Sequence, residues 1–174
     1  MLGENLGTIS GPTSMKALPA INGSPVFETV ASGLTGTLAG AEVRSFATYS
    51  ARMRADGSFQ GECPNSGVIM TSDGVATFSA TGVGSPTEDG GFVFIGVVYF
   101  ETTAPSLSSL NGIAVVYDWT VDPTGNATWE LWEWKEHPYT KTEDKRIVVL
   151  FLGDYLVSEG GLELPQPNEL SPCP

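Results

Sequence analysis

Asp-Gly pairs at 56–57, 73–74 and 89–90, followed by Asn-Gly at 111–112 and Thr-Gly-Asn at 124–126, cut the middle of the chain into β-type segments. Such pairs supply the positive φ angles of tight turns, and two-residue type I′ turns match the twist of antiparallel strands. The cadence predicts a meander of hairpins. Long strands are expected over 42–54, 58–71, 75–84, 92–103, 113–121 and 127–135, and short ones over 26–30 and 34–38. Long strands joined in sequence favour an up-and-down barrel over a Greek-key sandwich, and closure removes exposed sheet edges. The expected fold is all-β, an antiparallel meander closed into a barrel of about eight strands with irregular N- and C-terminal tails.

With 174 residues, 41% of them hydrophobic, the chain has material for one core. The expected organisation is an extended Gly/Ser/Pro/Asn-rich lead-in over 1–25, a single barrel domain over 26–157 and a Gly/Pro/Glu-rich tail over 158–174, with 146–157 either a strand or a short helix. Both Gly (21) and Pro (12) are plentiful, as many tight turns require.

Eight Lys and Arg against 20 Asp and Glu give a net charge of −12, which repels nucleic acid and anionic membrane surfaces. No apolar run approaches the roughly 20 residues that span a bilayer. The start, Met1-Leu2-Gly3-Glu4-Asn5, has neither a basic segment nor an apolar one of the kind that directs export, and two cysteines, Cys63 and Cys173, make no disulfide framework. A soluble cytoplasmic protein is expected. Neither a phosphate-cradling Gly-x-x-x-x-Gly-Lys stretch nor a Gly-x-Gly-x-x-Gly opening a helix is present, so no nucleotide cofactor is expected. The only histidine, His137, lies beside Pro138, which argues against Ser-His-Asp chemistry and multi-histidine metal sites.

Two-residue turns fix register and therefore faces. Closing hairpins at Asp56-Gly57, Asp73-Gly74 and Asp89-Gly90 places Arg52, Cys63, Asn65, Tyr99 and Glu101 on one face among Gly61, Gly67, Gly82 and Gly84. The opposite face carries Tyr49, Met53, Val68, Met70, Phe92, Phe94, Val98 and Phe100. Taken as the lumen, the glycine-rich face offers room and a few convergent polar groups, as small-molecule sites do. The phenylalanine face then becomes a contact in a homo-oligomer. In the last hairpin, closure at 123–126 pairs Tyr117 with Trp132 and Trp119 with Glu130, an aromatic surface suited to stacking a planar ligand.

The chemistry this leaves is acid–base work. Glu101, flanked by aromatics, is the candidate general acid or base, with Tyr99 or Tyr117 donating to a developing oxyanion and Arg52 as a possible ion-pair partner. Cys63, Asn65, Tyr117, Trp119, Glu130 and Trp132, with Arg52, are the candidate ligand-binding residues. A buried inert thiol is the alternative for Cys63, core packing for the aromatic residues, and a structural ion pair for the charged groups.

The segments Arg54-Ala55-Asp56-Gly57-Ser58-Phe59-Gln60-Gly61-Glu62, Gly67-Val68-Ile69-Met70-Thr71-Ser72-Asp73-Gly74, Gly82-Val83-Gly84, Leu110-Asn111-Gly112 and Leu131-Trp132-Glu133-Trp134-Lys135 resemble an uncharacterised family of small prokaryotic β-proteins over roughly residues 40 to 136. In pattern, Ala80-Thr81-Gly82-Val83-Gly84 within strand-rich sequence is also similar to allene oxide cyclase-like, calycin-like barrels. That resemblance implies a lumen binding hydrophobic or cyclisable molecules, an oligomeric assembly and, in some members, cyclisation; no motif carries their active residues over.

Three functions follow. One is a barrel enzyme acting on a hydrophobic small molecule as cyclase, isomerase or lyase. It needs a cavity of at least about 300 Å³ with a buried acid facing a phenol. The second is a non-catalytic ligand-binding or assembly module. The third, a carbohydrate-binding sandwich, needs Trp129, Trp132 or Trp134 on a solvent-facing platform.

Overall fold

The computed structural model describes residues 2–135. His137 and the 146–157 segment lie outside the described residues. Eight strands follow one another around a closed antiparallel barrel: β1 (Leu2–Ile21), β2 (Ser24–Leu38), β3 (Ala41–Met53), β4 (Phe59–Met70), β5 (Val75–Pro86), β6 (Phe92–Thr102), β7 (Val115–Val121) and β8 (Asn126–Trp134). Pairing of β1 with β8 closes it, so no edge stays open for unwanted pairing. Among the described residues no helix is long and apolar enough to cross a membrane.

The expected lead-in is instead the longest strand. β1 pairs with β8 through its first half and with β2 along most of its length, bending at register shifts on both sides. Its Ser, Thr and Pro content hides it in sequence because most of its residues face water and only Gly7 and Ile9 are fully buried. The two short strands expected over 26–30 and 34–38 are one, since a bulge between Ser32 and Leu34 absorbs Gly33 without ending the ladder.

Three turns at one end of the barrel share a hydrogen-bond pattern. Arg54 N donates to Ser58 O and Gly57 N to Arg54 O; Thr87 N to Gly91 O and Gly90 N to Thr87 O; Asp122 N to Asn126 O and Gly125 N to Asp122 O. Gly57, Gly90 and Gly125 have φ of 85°, 94° and 84°. These are longer loops, each a type I turn followed by a left-handed glycine. They shift register by one residue relative to a two-residue turn: Met53 faces Phe59, Gly84 faces Phe94 and Trp119 faces Trp129. The Thr71–Gly74 loop changes it by an even number, with Met70 opposite Val75. Faces expected for β4 and β5 are therefore kept, while those of β3, β6 and β8 are reversed relative to their neighbours.

The other end is plugged. A short 3₁₀ helix, Pro105–Leu110, drives Leu107 and Leu110 into the core with no exposed surface. Asp73 holds it in place, accepting from Ser106 N at 2.9 Å, Ser106 Oγ at 2.7 Å and Thr71 Oγ1 at 2.6 Å. Asn111 stands in for a strand partner, its side chain accepting from Thr102 N and donating to Thr102 O.

Candidate functional site

Inside the barrel, glycines on one strand seat aromatic rings from the next. A Cβ at Gly67 would lie 2.2 Å from the Phe78 ring, one at Gly84 2.4 Å from Phe94, and one at Gly96 2.6 Å from the Tyr117 hydroxyl. The room that the glycines provide is thus largely taken up by rings of the chain itself. Trp129 is the hub, with Phe78, Phe100, Tyr117 and Trp119 at centroid distances of 5.1–6.2 Å. Tilted and edge-on contacts of this kind add to the stability that burial alone gives.

The described residues leave an inner and an outer cavity in the lumen. The inner one, of about 60 Å³, is bordered by Ser45, Glu62, Cys63, Tyr117, Trp119, Trp129 and apolar side chains. A larger one of about 190 Å³ lies at the end carrying the three long loops, between Phe27, Thr29, Ala51, Phe59, Phe92 and Pro123. Tyr49 and Phe94 border both, so they form the partition. The Trp119 indole N–H donates to the Tyr49 hydroxyl at 3.0 Å.

Burial pushes the pKa of Tyr49, Tyr117 and Cys63 up, so these groups are neutral near neutral pH. The Cys63 thiol donates to Thr48 O at 3.5 Å. At the rim, Asp122 is occupied by its own turn, accepting from Thr124 N, Thr124 Oγ1 and Asn126 N, and these bonds lower its pKa. Glu62 borders the inner cavity and Asp122 the outer one, but Glu62 is exposed and alternates with the buried Gly61 and Cys63, and Asp122 is taken up by its turn. The lumen offers neutral hydroxyls and aromatic faces, and no anionic base.

The expected site residues divide accordingly. Cys63, Tyr117 and Trp119 lie inside, next to one another around the inner cavity. Tyr99 (54% exposed) and Glu101 lie on the outer face, because the five-residue loop before β6 puts Val98 and Phe100 inward instead. Arg52 is outside for the same reason at the β3–β4 turn, where it pairs with Gln60. Asn65 is exposed in a bulge of β4 between Cys63 and Gly67, with φ of 54°. Glu130 and Trp132 pair with Asp118 and Val116 on the outside, while Trp129 and Leu131 are buried. The phenylalanine face expected to meet another subunit is core: Phe94 and Phe100 are 7% and 4% exposed. Trp129, 4% exposed, belongs to no surface platform. The sequence reading missed Ser45 and Thr29, whose inward placement follows from the alternation Val43-Ser45-Ala47 and Phe27-Thr29-Ala31 once the faces are right.

A shallow groove of about 630 Å³ runs along the outer face across β5, β6 and β7, between Val83, Ile95, Val97, Val116 and Trp132. Its floor is thin at the Gly82–Gly96 pair, where Tyr117 borders both this groove and the inner cavity.

The fold defines a closed, single-lumen antiparallel barrel, and solved structures of that class align with it. A conserved protein of unknown function from Rhodopseudomonas palustris matches with a TM-score of 0.65 at 14% identity, over 76% of this chain and 97% of that one. A beta-barrel like protein from Acinetobacter baumannii matches with a TM-score of 0.61 at 14% identity, over 78% and 96%. At this identity the likeness is one of fold. No family model matches the sequence, and no curated protein matches it either.

Proposed function

We propose that the protein is a binding barrel for a small, neutral, mostly apolar molecule taken in through the loop-lined mouth. The observation that carries this is the asymmetry of the lumen, stoppered by Leu107 and Leu110 at one end and opening at the other into an aromatic cavity of about 190 Å³. An apolar cavity of about 150 Å³ is known to bind benzene, so the volume suits a single ring with a short substituent. An anionic ligand is disfavoured, because a buried charge needs a partner and no cationic side chain lines the cavity. The likeness in pattern to allene oxide cyclase-like barrels agrees with a hydrophobic occupant. The cyclase, isomerase or lyase reading has less support: neither cavity reaches about 300 Å³, and Glu62, the carboxylate that borders the inner one, is an exposed residue alternating with the buried Gly61 and Cys63.

The test is thermal melting with toluene and other single-ring neutral aromatics. A ligand at 100 times its Kd raises stability by about 2.7 kcal/mol, a shift of several degrees. Ala51→Trp, which fills the mouth, should melt cooperatively and lose the shift. No shift with any such compound, or an equal shift in the filled variant, would refute the proposal.

A second copy of the chain is the partner that the outer face favours. Val83, Val93, Ile95 and Tyr99, 40–61% exposed, make a continuous apolar strip on β5 and β6. A strip of this kind that pairs with its own copy makes the self-complementary contact of a two-fold dimer.

A further inference from the structure

The inner cavity is bordered by two residues, Ser45 and Tyr117, whose hydroxyls have no hydrogen-bond partner among the described residues. Every side-chain nitrogen or oxygen sealed from open space among the described residues has a hydrogen-bond partner. The hydroxyls of Ser45 and Tyr117 have none there, so each keeps an open surface. For Ser45, 2% exposed and on the inward face of β3, that open surface is the cavity. Tyr117 borders the same space, its ring laid over Gly96 and its hydroxyl 2.5 Å from where a Gly82 Cβ would stand. The two glycines leave the phenol free to lie along the wall, and any larger residue at either position would displace it.

Two unpartnered hydroxyls bordering a mostly apolar chamber are a recognition element, since unpaired buried hydroxyls lose the water they had in the unfolded chain. Two hydroxyl donors without a cation match a neutral acceptor and not an anion. About 60 Å³ exceeds the 10–15 Å³ that one water needs and suits the small polar head of a ligand whose body occupies the mouth. Tyr49 and Phe94, shared by the two cavities, mark the junction between head and body.

Resting on the binding role proposed above, we infer that the ligand is a neutral carbonyl compound, a ketone or aldehyde with an apolar ring or short chain, whose oxygen accepts hydrogen bonds from Tyr117 and Ser45. Burial keeps the Tyr117 phenol protonated and thus a donor through the neutral range.

The test uses the full chain and three matched probes: acetophenone, its hydrocarbon analogue α-methylstyrene, and benzoate. Calorimetric titration should show acetophenone binding roughly three- to tenfold more tightly than α-methylstyrene, as one or two hydrogen bonds would give, and benzoate binding least. Tyr117→Phe keeps the ring over Gly96 and should bring the two neutral probes within about twofold, with Ser45→Ala reducing the difference in part. The ¹³C resonance of carbonyl-labelled acetophenone should move downfield on binding to the native protein and less in Tyr117→Phe. Equal binding of the two neutral probes to the native protein, or a preference that survives when Tyr117→Phe and Ser45→Ala are combined, overturns the carbonyl assignment and leaves the apolar binding role standing. Absence of binding by all three overturns both.

Discussion

Trp119 Nε1 donates to Tyr49 Oη at 3.0 Å across the lumen, with the two rings edge to face at 5.8 Å and 86°. β3 and β7 are not neighbours in the sheet, so this contact ties opposite walls of the barrel. Tyr49→Phe leaves the indole N–H without a partner in a mostly apolar interior. The expected loss is about 1–3 kcal/mol, read as a lower urea midpoint at unchanged m. A change under about 0.5 kcal/mol would mean that the bond contributes little.

Gly67 exists for Phe78. Gly67→Ala places a methyl group inside the Phe78 ring, and overpacking of this kind costs about 1–3 kcal/mol or more. Phe78→Leu should recover part of that loss in the double variant, although it is itself destabilising. Strict additivity of the two in a double-mutant cycle would count against direct contact.

The turn aspartates set the acid limb of stability. Hydrogen bonds from Thr71 and Ser106 lower the pKa of Asp73, and bonds from Thr124, Gly125 and Asn126 lower that of Asp122. A folded pKa below the unfolded one, about 3.9, contributes stability that is present above the unfolded value and lost as pH falls through the folded one. The double variant Asp73→Asn, Asp122→Asn should therefore melt below the native protein at pH 6, and the gap should shrink toward pH 2.5. A gap independent of pH would show that the carboxylate charge is not what these turns use.

Ile95, 61% exposed at the centre of the β5–β6 face, is the position to test self-association. Native mass spectrometry and sedimentation should give a dimer that strengthens with salt, because screening relieves the repulsion between two chains of charge −12. Ile95→Glu should give a monomer with an unchanged melting temperature. A native monomer at tens of micromolar in 0.5 M salt would rule out the dimer.

The meander and its closure were legible because turn residues and strand composition agree along most of the chain; Cys63, Tyr117 and Trp119 all border the inner cavity, but Tyr117 and Trp119 pair with Leu131 and Trp129 where Trp132 and Glu130 were expected. The reversed faces have one physical origin. Asp56-Gly57 and Asp89-Gly90 look like two-residue turns, yet Gly57 and Gly90 are the left-handed fourth residues of longer loops, and one extra residue reverses a face. Signals against the shorter reading were present. Gly90-Gly91 and Asp122-Pro123-Thr124-Gly125 suit a type I turn with a following glycine better than Asn-Gly or Asp-Gly alone. Glu101, Asp118 and Glu130 all fall on the face that proves to be outside, where charged groups keep their hydration. β1 was illegible for a different reason, since a strand exposed along most of its length has little hydrophobic alternation to show.

The most direct test of the binding role is an NMR titration with acetophenone that follows the tryptophan indole N–H signals. Trp119 borders the inner cavity, whereas Trp134 is 55% exposed on the outside and serves as the internal reference. A saturable shift of the Trp119 signal with the Trp134 signal unmoved is the predicted result. A Trp119 signal that stays fixed up to the solubility limit of the probe, or moves only in parallel with Trp134, would contradict a ligand-binding lumen.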